Sequence, residues 1–339
     1  MSAQPGTIGS GWPGSGVELG PLRLAYPLIN ASGTMELFEL AEAFGPHILE
    51  VPPVAAYVPK TVTLMPREGN PPPRILETRS GVINAIGLSN EGLTAFLAQR
   101  LPKLLRLPCP LILSIGGFSP AEYTALAAGI RGALDARGPS GGRGGWAERV
   151  GLELNVSCPN VHSGCLSIGT DPEETLNTVA AAREVWPGLL VAKLTPNVTN
   201  VVEIARAAAA GGASAVALVN TFKGLVLDRA TLKPYLGNVT GGLSGPAIRP
   251  LALRAVYEVY ASVDVPIIGM GGVATIQDVL EFMACGASAV AVGSAALRDP
   301  WVCERLAGEL QAELQRRGLT AGGLLGMAHD GPPQHSSGT

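Results

Sequence analysis

The chain of 339 residues has few charged side chains and no long run of either sign. Charged residues make up 15% of the sequence, against about 25% in an average soluble protein. The formal net charge is -3, and no block of lysine or arginine occurs, which excludes the basic footprint of a nucleic-acid-binding protein. The longest apolar runs are broken well before the roughly 18 residues that a membrane span needs, so none is predicted.

Cysteine and histidine are also scarce. Five cysteines form no C-x-x-C pair, and four histidines show no metal-ligand spacing, so no metal site is predicted. The segment 1–16 is rich in Gly, Ser and Pro and lacks the basic-then-apolar order of a signal peptide. These features favour reduced thiols in a cytoplasmic protein. Neither an iron–sulfur cysteine cluster nor a G-x-G-x-x-G fingerprint follows a candidate strand, so the chain has no evident NAD site of its own.

What the sequence does contain is an alternation of short apolar runs with alanine-rich amphipathic segments, and hydrophobic residues make up 47%. The predicted strands are Pro27–Ala31, Ala55–Pro59, Leu111–Ile115, Val150–Val156, Leu189–Leu194, Ala213–Asn220, Val265–Gly269 and Ala287–Gly293. The predicted helices are Leu37–Phe44, Glu91–Leu101, Ala121–Ala136, Pro172–Trp186, Val201–Ala210, Pro246–Ser262, Thr275–Ala284 and Pro300–Gln315. Because the later strands are almost purely apolar, the pattern predicts an α/β fold, a closed parallel (β/α)8 TIM barrel.

The barrel is expected to span residues 17–329, with inserted loops at its C-terminal face. Val17–Leu19 and Leu22–Leu24 flank Gly20-Pro21 and predict an N-terminal β-hairpin that covers the barrel bottom. Three segments are expected to be loose: residues 1–16, an insertion at 137–147 and a polar tail at 330–339.

The loop after the fourth predicted strand is the strongest candidate for catalysis. It carries Cys158 between Asn155 and Asn160, and a loop at a strand end is where barrel enzymes hold reacting groups. An isolated cysteine is more often a small buried filler. Here the surroundings are polar and Pro159 stiffens the loop, which favours Cys158 as a catalytic residue.

Two glycine-containing turns follow the last two predicted strands. Gly269-Met-Gly-Gly-Val273 and Val292-Gly-Ser294 each lead into a helix, and paired turns of this kind bind phosphate in barrels. A single such turn would indicate only a tight connection. Two of them at adjacent strands favour a phosphate site.

Polar residues at other strand ends point to the same rim. Lys60 and Lys193 end the second and fifth predicted strands, where a cation would be costly without an anionic partner. Lysines usually lie along the surface with the charge in water. Near a phosphate site, the pair instead indicates one electron-rich cofactor ring and one substrate carboxylate. The asparagines Asn84, Asn155, Asn160 and Asn220 would suit a flat molecule with alternating N–H and C=O groups.

These motifs resemble those of the dihydroorotate dehydrogenases, flavoprotein oxidoreductases of pyrimidine biosynthesis, and specifically their class 1B catalytic subunits. The resemblance runs from about Val17 to Arg317. It rests on NASGT at 30–34, NAIGL at 84–88, NVSCPNV at 155–161, KLTPNVT at 193–199, VNT at 219–221, GGLSGPAIRP at 241–250 and GMGGV at 269–273. The related class 2 enzymes have serine where Cys158 stands and an amphipathic N-terminal segment.

The resemblance implies oxidation of dihydroorotate to orotate, with FMN as cofactor and Cys158 as the general base. FMN would contact Ser32, Lys60, Thr61, Ser114, Asn155, Lys193, Val219, Gly245, Gly271, Gly272, Gly293 and Ser294. Dihydroorotate would contact Lys60, Asn84, Ala85, Ile86, Gly87, Leu88, Asn155, Asn160, Asn220 and Thr221, with Lys60 on its carboxylate. The resemblance also implies a homodimer and a second subunit with FAD and a [2Fe–2S] cluster that passes electrons to NAD.

Two departures from the family and three alternatives remain. The family usually has asparagine where Ser114 stands, and its loop after Val161 usually reads Lys-His-Gly-Gly where this chain has His162-Ser-Gly-Cys165. The alternatives are a class 1A-like, fumarate-linked enzyme, an FMN barrel that acts on another dihydropyrimidine, and a non-catalytic flavin-binding barrel.

Overall fold

The computed structural model describes residues 16–137, 145–157 and 168–331. Its strands are β1 (Val17–Leu19), β2 (Leu22–Leu24), β3 (Leu28–Asn30), β4 (Ile75–Thr78), β5 (Gly81–Asn84), β6 (Leu111–Ile115), β7 (Val150–Asn155), β8 (Leu190–Lys193), β9 (Ala215–Leu218), β10 (Phe222–Leu225), β11 (Thr240–Ser244), β12 (Ile267–Met270) and β13 (Ala289–Val292). The predicted insertion at 137–147 and the tail at 330–339 lie largely outside the described residues, as does nearly all of the segment 1–16.

Its α-helices are α1 (Leu37–Phe44), α2 (His47–Glu50), α3 (Gly92–Ala95), α4 (Leu101–Leu104), α5 (Pro120–Asp135), α6 (Pro172–Val185), α7 (Val201–Ala210), α8 (Arg249–Tyr260), α9 (Ile276–Ala284), α10 (Val302–Arg317) and α11 (Ala321–Leu324). A π-helical turn at Phe96–Arg100 joins α3 to α4, where one continuous helix was predicted. Among the described residues, no helix is both long and apolar enough to span a bilayer.

The barrel wall is a seven-stranded parallel sheet in the order β3-β13-β12-β9-β8-β7-β6. Every residue of β8, β9, β12 and β13 is buried, as expected for strands covered on both faces. The N-terminal hairpin β1–β2 packs across the barrel bottom, where Gly20 approaches Ser214 and Leu189 ahead of β9 and β8. The predicted α/β barrel and its hairpin are confirmed.

The eighth position of the wall is filled by the irregular extended segment 55–62. On one side, the Asn30 side chain donates to the Val58 carbonyl at 2.7 Å and accepts from its N–H at 2.9 Å. On the other side, Tyr57 and Val62 form parallel bridges to β6. Pro59 has no N–H to add to a ladder, so side-chain hydrogen bonds replace part of the backbone pairing that was predicted here.

A second sheet at the C-terminal face was not predicted. The antiparallel strands β10-β11-β5-β4 come from two segments that read as loops because glycines interrupt them. Gly242 in β11 illustrates the reason. A Cβ atom at this position would collide with Oγ1 of Thr221, so the close approach of the two strands requires glycine.

The closure of the barrel generates a stability prediction at Asn30, which is fully buried. Asn30→Ala leaves the N–H and the carbonyl of Val58 without partners, so we expect a loss of about 2–4 kcal/mol in the free energy of unfolding. Chemical denaturation measures it. The matched control is Asn200→Ala, which removes the exposed N-cap of α7 and should cost about 1 kcal/mol. Equal losses in the two variants would contradict the closure role of Asn30.

Candidate active site

A cavity of about 300 Å³ opens at the C-terminal ends of the barrel strands, beneath the antiparallel sheet. It brings together most residues that the sequence had singled out. The predicted cofactor-binding residues that line it are Ser32, Lys60, Thr61, Asn155, Lys193, Val219, Gly245, Gly271, Gly272, Gly293 and Ser294. The predicted substrate-binding residues Asn84, Ile86, Gly87, Leu88, Asn220 and Thr221 line it as well.

Four predicted site residues do not appear in this lining. Ser114 and Ala85 are about 1% exposed and lie behind the wall. Cys158 and Asn160 lie outside the described residues. The predicted roles of all these residues therefore remain predictions.

One end of the cavity is built from glycines that leave room for a ligand. Gly271 and Gly272 have φ values of 129° and 80°, which favour glycine over any residue with a side chain. A Cβ atom on Gly271 would lie 2.7 Å from that of Ala252. At Gly293, by contrast, an added Cβ would meet only the Ala31 side chain, at 3.7 Å, because the position faces open space.

The same turns present backbone donors. Four of their N–H groups have no hydrogen-bond acceptor among the described residues, namely those of Gly272, Val273, Gly293 and Ser294. The next two N–H groups, of Ala274 and Thr275, already donate to Asp278, which caps α9. Unpaired N–H groups at paired glycine turns are what a phosphate group requires, so this end of the cavity fits the phosphate of FMN.

The floor of the cavity carries a buried ion pair. Nζ of Lys193, at the end of β8, lies 3.5 Å from Oε1 of Glu153 in the neighbouring strand β7. Their side chains are 9% and 4% exposed. Glu153 supplies the anionic partner that a buried ammonium needs. It was missed from the sequence, where its one signal was a charge inside an apolar strand.

Lys60 and Lys193 are the charged side chains that line the cavity within the described part of the chain. The side chain of Lys60 passes close to Gly33, where a Cβ atom would lie 3.0 Å from its Cδ. Its charge also reaches Glu36. Burial raises the pKa of Glu36, and the positive charges of Arg100 and Lys60 oppose that rise. Among the described residues, the lining itself carries two cations and no carboxylate, which favours an anionic ligand even though Glu153 compensates Lys193 from below.

Amide groups form a network at the mouth of β7. The Asn220 side chain donates to Oδ1 of Asn155 at 3.2 Å and to Oγ of Ser157 at 2.6 Å. Ser157 also donates to Oδ1 of Asn155, and the Tyr123 hydroxyl donates to the Asn155 carbonyl. These contacts fix the orientation of two cavity amides and of the residue directly before Cys158.

The loop 84–88 is held from outside by a strap at residues 67–74. Asn70 donates from its N–H to the Ile86 carbonyl and from its side chain to the Ala85 carbonyl. Leu88 adopts a positive φ of 58°, which is uncommon for a residue with a side chain. The strap thus holds the start of the loop, while the Asn90 side chain donates to the Leu88 carbonyl at 2.7 Å and supports this unfavourable backbone on one wall of the cavity.

An apolar part of the wall was also missed from the sequence. It consists of Ile75, Val82, Ile248, Met270 and Leu297. Single apolar residues in loops and helix starts are common in any chain, so nothing in the sequence separates these from ordinary packing. Their presence gives the cavity the mixed apolar and polar lining that is typical of cofactor sites.

Three of the five cysteines are unsuited to act as a base. Burial raises the pKa of Cys109 to about 12 and also raises those of Cys285 and Cys303. None of these three lines the cavity. Within the described residues, no group of three or more His, Cys, Asp or Glu side chains is placed to hold a metal ion.

Comparison with known proteins agrees with this geometry. The family model described as dihydroorotate dehydrogenase matches residues 17–314. Three similar proteins are each named dihydroorotate dehydrogenase B (NAD(+)), catalytic subunit. The protein of Desulforudis audaxviator is 46% identical over 92% of this chain and 97% of its own length. Those of Trichlorobacter lovleyi and Bacillus thuringiensis are 42% and 43% identical, over 91% and 89% of this chain and 95% and 93% of their own lengths.

The family model covers most of the chain, and these relatives are far more than 30% identical over nearly their whole lengths. The matched region contains every strand of the barrel and both glycine turns of the cavity. The chain therefore belongs to the dihydroorotate dehydrogenase family of oxidoreductases.

Proposed function

We propose that this chain oxidises dihydroorotate to orotate in pyrimidine biosynthesis, with FMN bound in the cavity. The observation that carries the proposal is one cavity lined by two lysines, with unpaired N–H groups at one end and amide side chains at the other. The names of the relatives support the substrate. A non-catalytic flavin-binding barrel would not need the amide network around Asn155 and Asn220.

The lining residues divide between cofactor and substrate. Gly272, Gly293 and Ser294 would hold the FMN phosphate through their N–H groups. Lys193 and Asn155 would contact the polar edge of the flavin ring, together with Ser32, Thr61, Val219, Gly245 and Gly271. Bound FMN supplies the hydride acceptor of the reaction. The cation of Lys193 would favour negative charge that develops near it.

Dihydroorotate is a six-membered ring with a carboxylate and with amide-like N–H and C=O groups. Lys60 would bind the carboxylate, and the side chains of Asn84, Asn155 and Asn220 would pair with the ring amides. Thr221, the loop 84–88 and Asn160 would complete the substrate site. Asparagine suits this task because each side chain offers both a donor and an acceptor.

Cys158 is proposed as the base because it directly follows a residue that is held at the cavity. Oxidation removes a proton from C5 and a hydride from C6, so the protein must accept the proton. Ser157 is anchored at the cavity by Asn220, and Cys158 follows it directly. A free thiol has a pKa of about 8.5, so only a small fraction is thiolate near neutral pH. The rate should therefore rise with pH as Cys158 loses its proton.

The electron acceptor requires a partner. The relatives are named as catalytic subunits of NAD(+)-dependent enzymes, and this sequence has no dinucleotide fingerprint after a candidate strand. We infer that a homodimer of this chain passes electrons to a second subunit that carries FAD and a [2Fe–2S] cluster. The runner-up is a class 1A-like enzyme that reduces fumarate.

The first functional prediction concerns the cofactor. The purified chain should be yellow, with one non-covalent FMN per barrel. Gly293→Ala places a methyl group in the cavity with only an ordinary contact, at 3.7 Å, to the Ala31 side chain, so we expect FMN affinity to fall about tenfold or more while the fold is retained. Flavin fluorescence quenching measures the dissociation constant. The matched control is Gly132→Ala on the exposed face of α5, where a Cβ meets nothing. Tight FMN binding by Gly293→Ala would contradict the proposal that FMN lies against the glycine turns.

The second concerns the base. Cys158→Ala should still bind FMN and orotate, but dihydroorotate should reduce its flavin about 10²–10⁴-fold more slowly, the usual contribution of a general base. Cys158→Ser should keep some activity, with its optimum at higher pH, because a hydroxyl is a far weaker acid than a thiol. Stopped-flow absorbance measures these rates, with Cys285→Ala as the control. Unchanged flavin reduction in Cys158→Ala would point to His162 or Cys165 instead.

The third functional prediction concerns the electron acceptor. With dihydroorotate, the isolated chain should reduce artificial dyes efficiently and NAD poorly, because its sequence has no dinucleotide fingerprint after a candidate strand. Addition of the partner subunit should restore NAD reduction in a steady-state assay. Efficient NAD reduction by the isolated chain would contradict the proposal that a partner subunit is needed. Efficient fumarate reduction would favour the class 1A-like alternative.

A further inference from the structure

Glu153 is a buried acid that no role in substrate or cofactor binding accounts for. It is 3% exposed and lies two residues before Asn155 in β7, on the same side of the strand. It does not line the cavity, whereas Lys193, to which it is paired, does. Glu153 therefore lies one layer below the cavity floor and reaches any ligand only through other side chains.

The same carboxylate oxygen holds a second partner. Oε1 of Glu153 accepts a hydrogen bond from the Ser114 hydroxyl at 2.9 Å, and Ser114 is in turn 2.9 Å from the Thr61 hydroxyl. An ionised carboxylate can only accept, so Ser114 donates to it and Thr61 donates to Ser114. The oxygen of Thr61 is then left to accept, and Nδ2 of Asn155 lies 3.5 Å away.

One buried charge thus fixes two features of the cavity floor. It compensates the ammonium of Lys193, and it sets the direction of the hydroxyl chain that runs through Ser114 and Thr61 to Ser32, whose Oγ lies 3.0 Å from Oγ1 of Thr61. Within the described lining, Lys60 is the other charged group, and among the described residues Glu153 is the acid that pairs with Lys193. The other buried acid among the described residues, Asp278, pairs with Arg249 beside the glycine turns.

We propose that Glu153 is a positioning residue that keeps Lys193 protonated and directed at the flavin site. The proposal rests on the proposed function for the identity of the ligand, but the coupling between Glu153 and Lys193 does not. Without the carboxylate, burial would favour the neutral amine, and the cavity floor would lose its cation as the pH rises.

The direct test follows the protonation of Lys193 in protein without flavin. The chain has five lysines, so NMR of protein labelled with ¹³C at lysine Cε can resolve them, and the signal missing from Glu153→Gln/Lys193→Met identifies Lys193. In Glu153→Gln, the titration midpoint of the Lys193 amine should fall by at least about one pH unit. In Glu153→Asp it should return toward the wild-type value. Glu203→Gln, which removes an exposed carboxylate of α7 away from the cavity, should leave it in place.

FMN binding gives a second readout. The ratio of the FMN dissociation constants of Glu153→Gln and wild type should grow about tenfold or more as the pH rises, because burial without the carboxylate favours the neutral amine in the variant. The same ratio for Glu203→Gln should not change with pH. A titration of Glu153→Gln that matches wild type, or a ratio that is constant with pH, would overturn the proposal.

Folding failure is also informative. If Glu153→Gln does not fold but the double variant with Lys193→Met does, the uncompensated lysine is the cause, which supports the proposal. If the double variant also fails, Glu153 acts in packing and the proposal is wrong. Failure of the wild type to bind FMN would instead count against the proposed function, and the titration of Lys193 would still decide the coupling.

Discussion

The site depends on the closure of a parallel barrel around its eighth, irregular position. Asn30 replaces backbone pairing with two side-chain hydrogen bonds to Val58, and the other edge of the segment 55–62 pairs with β6. Parallel strands end on the same rim, so closure brings Lys60, Asn155 and Lys193 to one cavity although they are far apart in the chain. The chemistry of the rim follows from this geometry.

Electrostatics then separates the two ends of the cavity. Unpaired N–H groups at the glycine turns give one end a preference for phosphate, while Lys193, compensated from below by Glu153, provides a cation in the floor. Asn155 is shared by the predicted cofactor and substrate contacts, and Asn220, Ser157 and Tyr123 hold it in place. The arrangement is rigid where a flavin would lie and polar where a substrate ring would meet it.

Much of this could be predicted from the sequence, because apolar strands and their polar ends have a plain signature. The strand Leu111–Ile115 and the helices at 37–44 and 201–210 have the predicted bounds. The antiparallel sheet was missed because glycines such as Gly242 make its strands look like loops in the sequence. At this position only glycine fits, because a Cβ atom would collide with the Thr221 side chain. Glu153 and the apolar wall at Met270 and Leu297 were missed for a different reason. Their roles depend on which residues lie next to them in the folded barrel, and that neighbourhood has no local pattern.

The central claim is that this cavity couples dihydroorotate oxidation to its own flavin. An anaerobic titration of the purified FMN-bound chain with dihydroorotate tests it most directly, with absorbance and product analysis at each addition. We expect the flavin absorbance to bleach in proportion to added dihydroorotate and one orotate to form for each flavin reduced. A flavin that stays oxidised with excess dihydroorotate, or that bleaches without forming orotate, would contradict it.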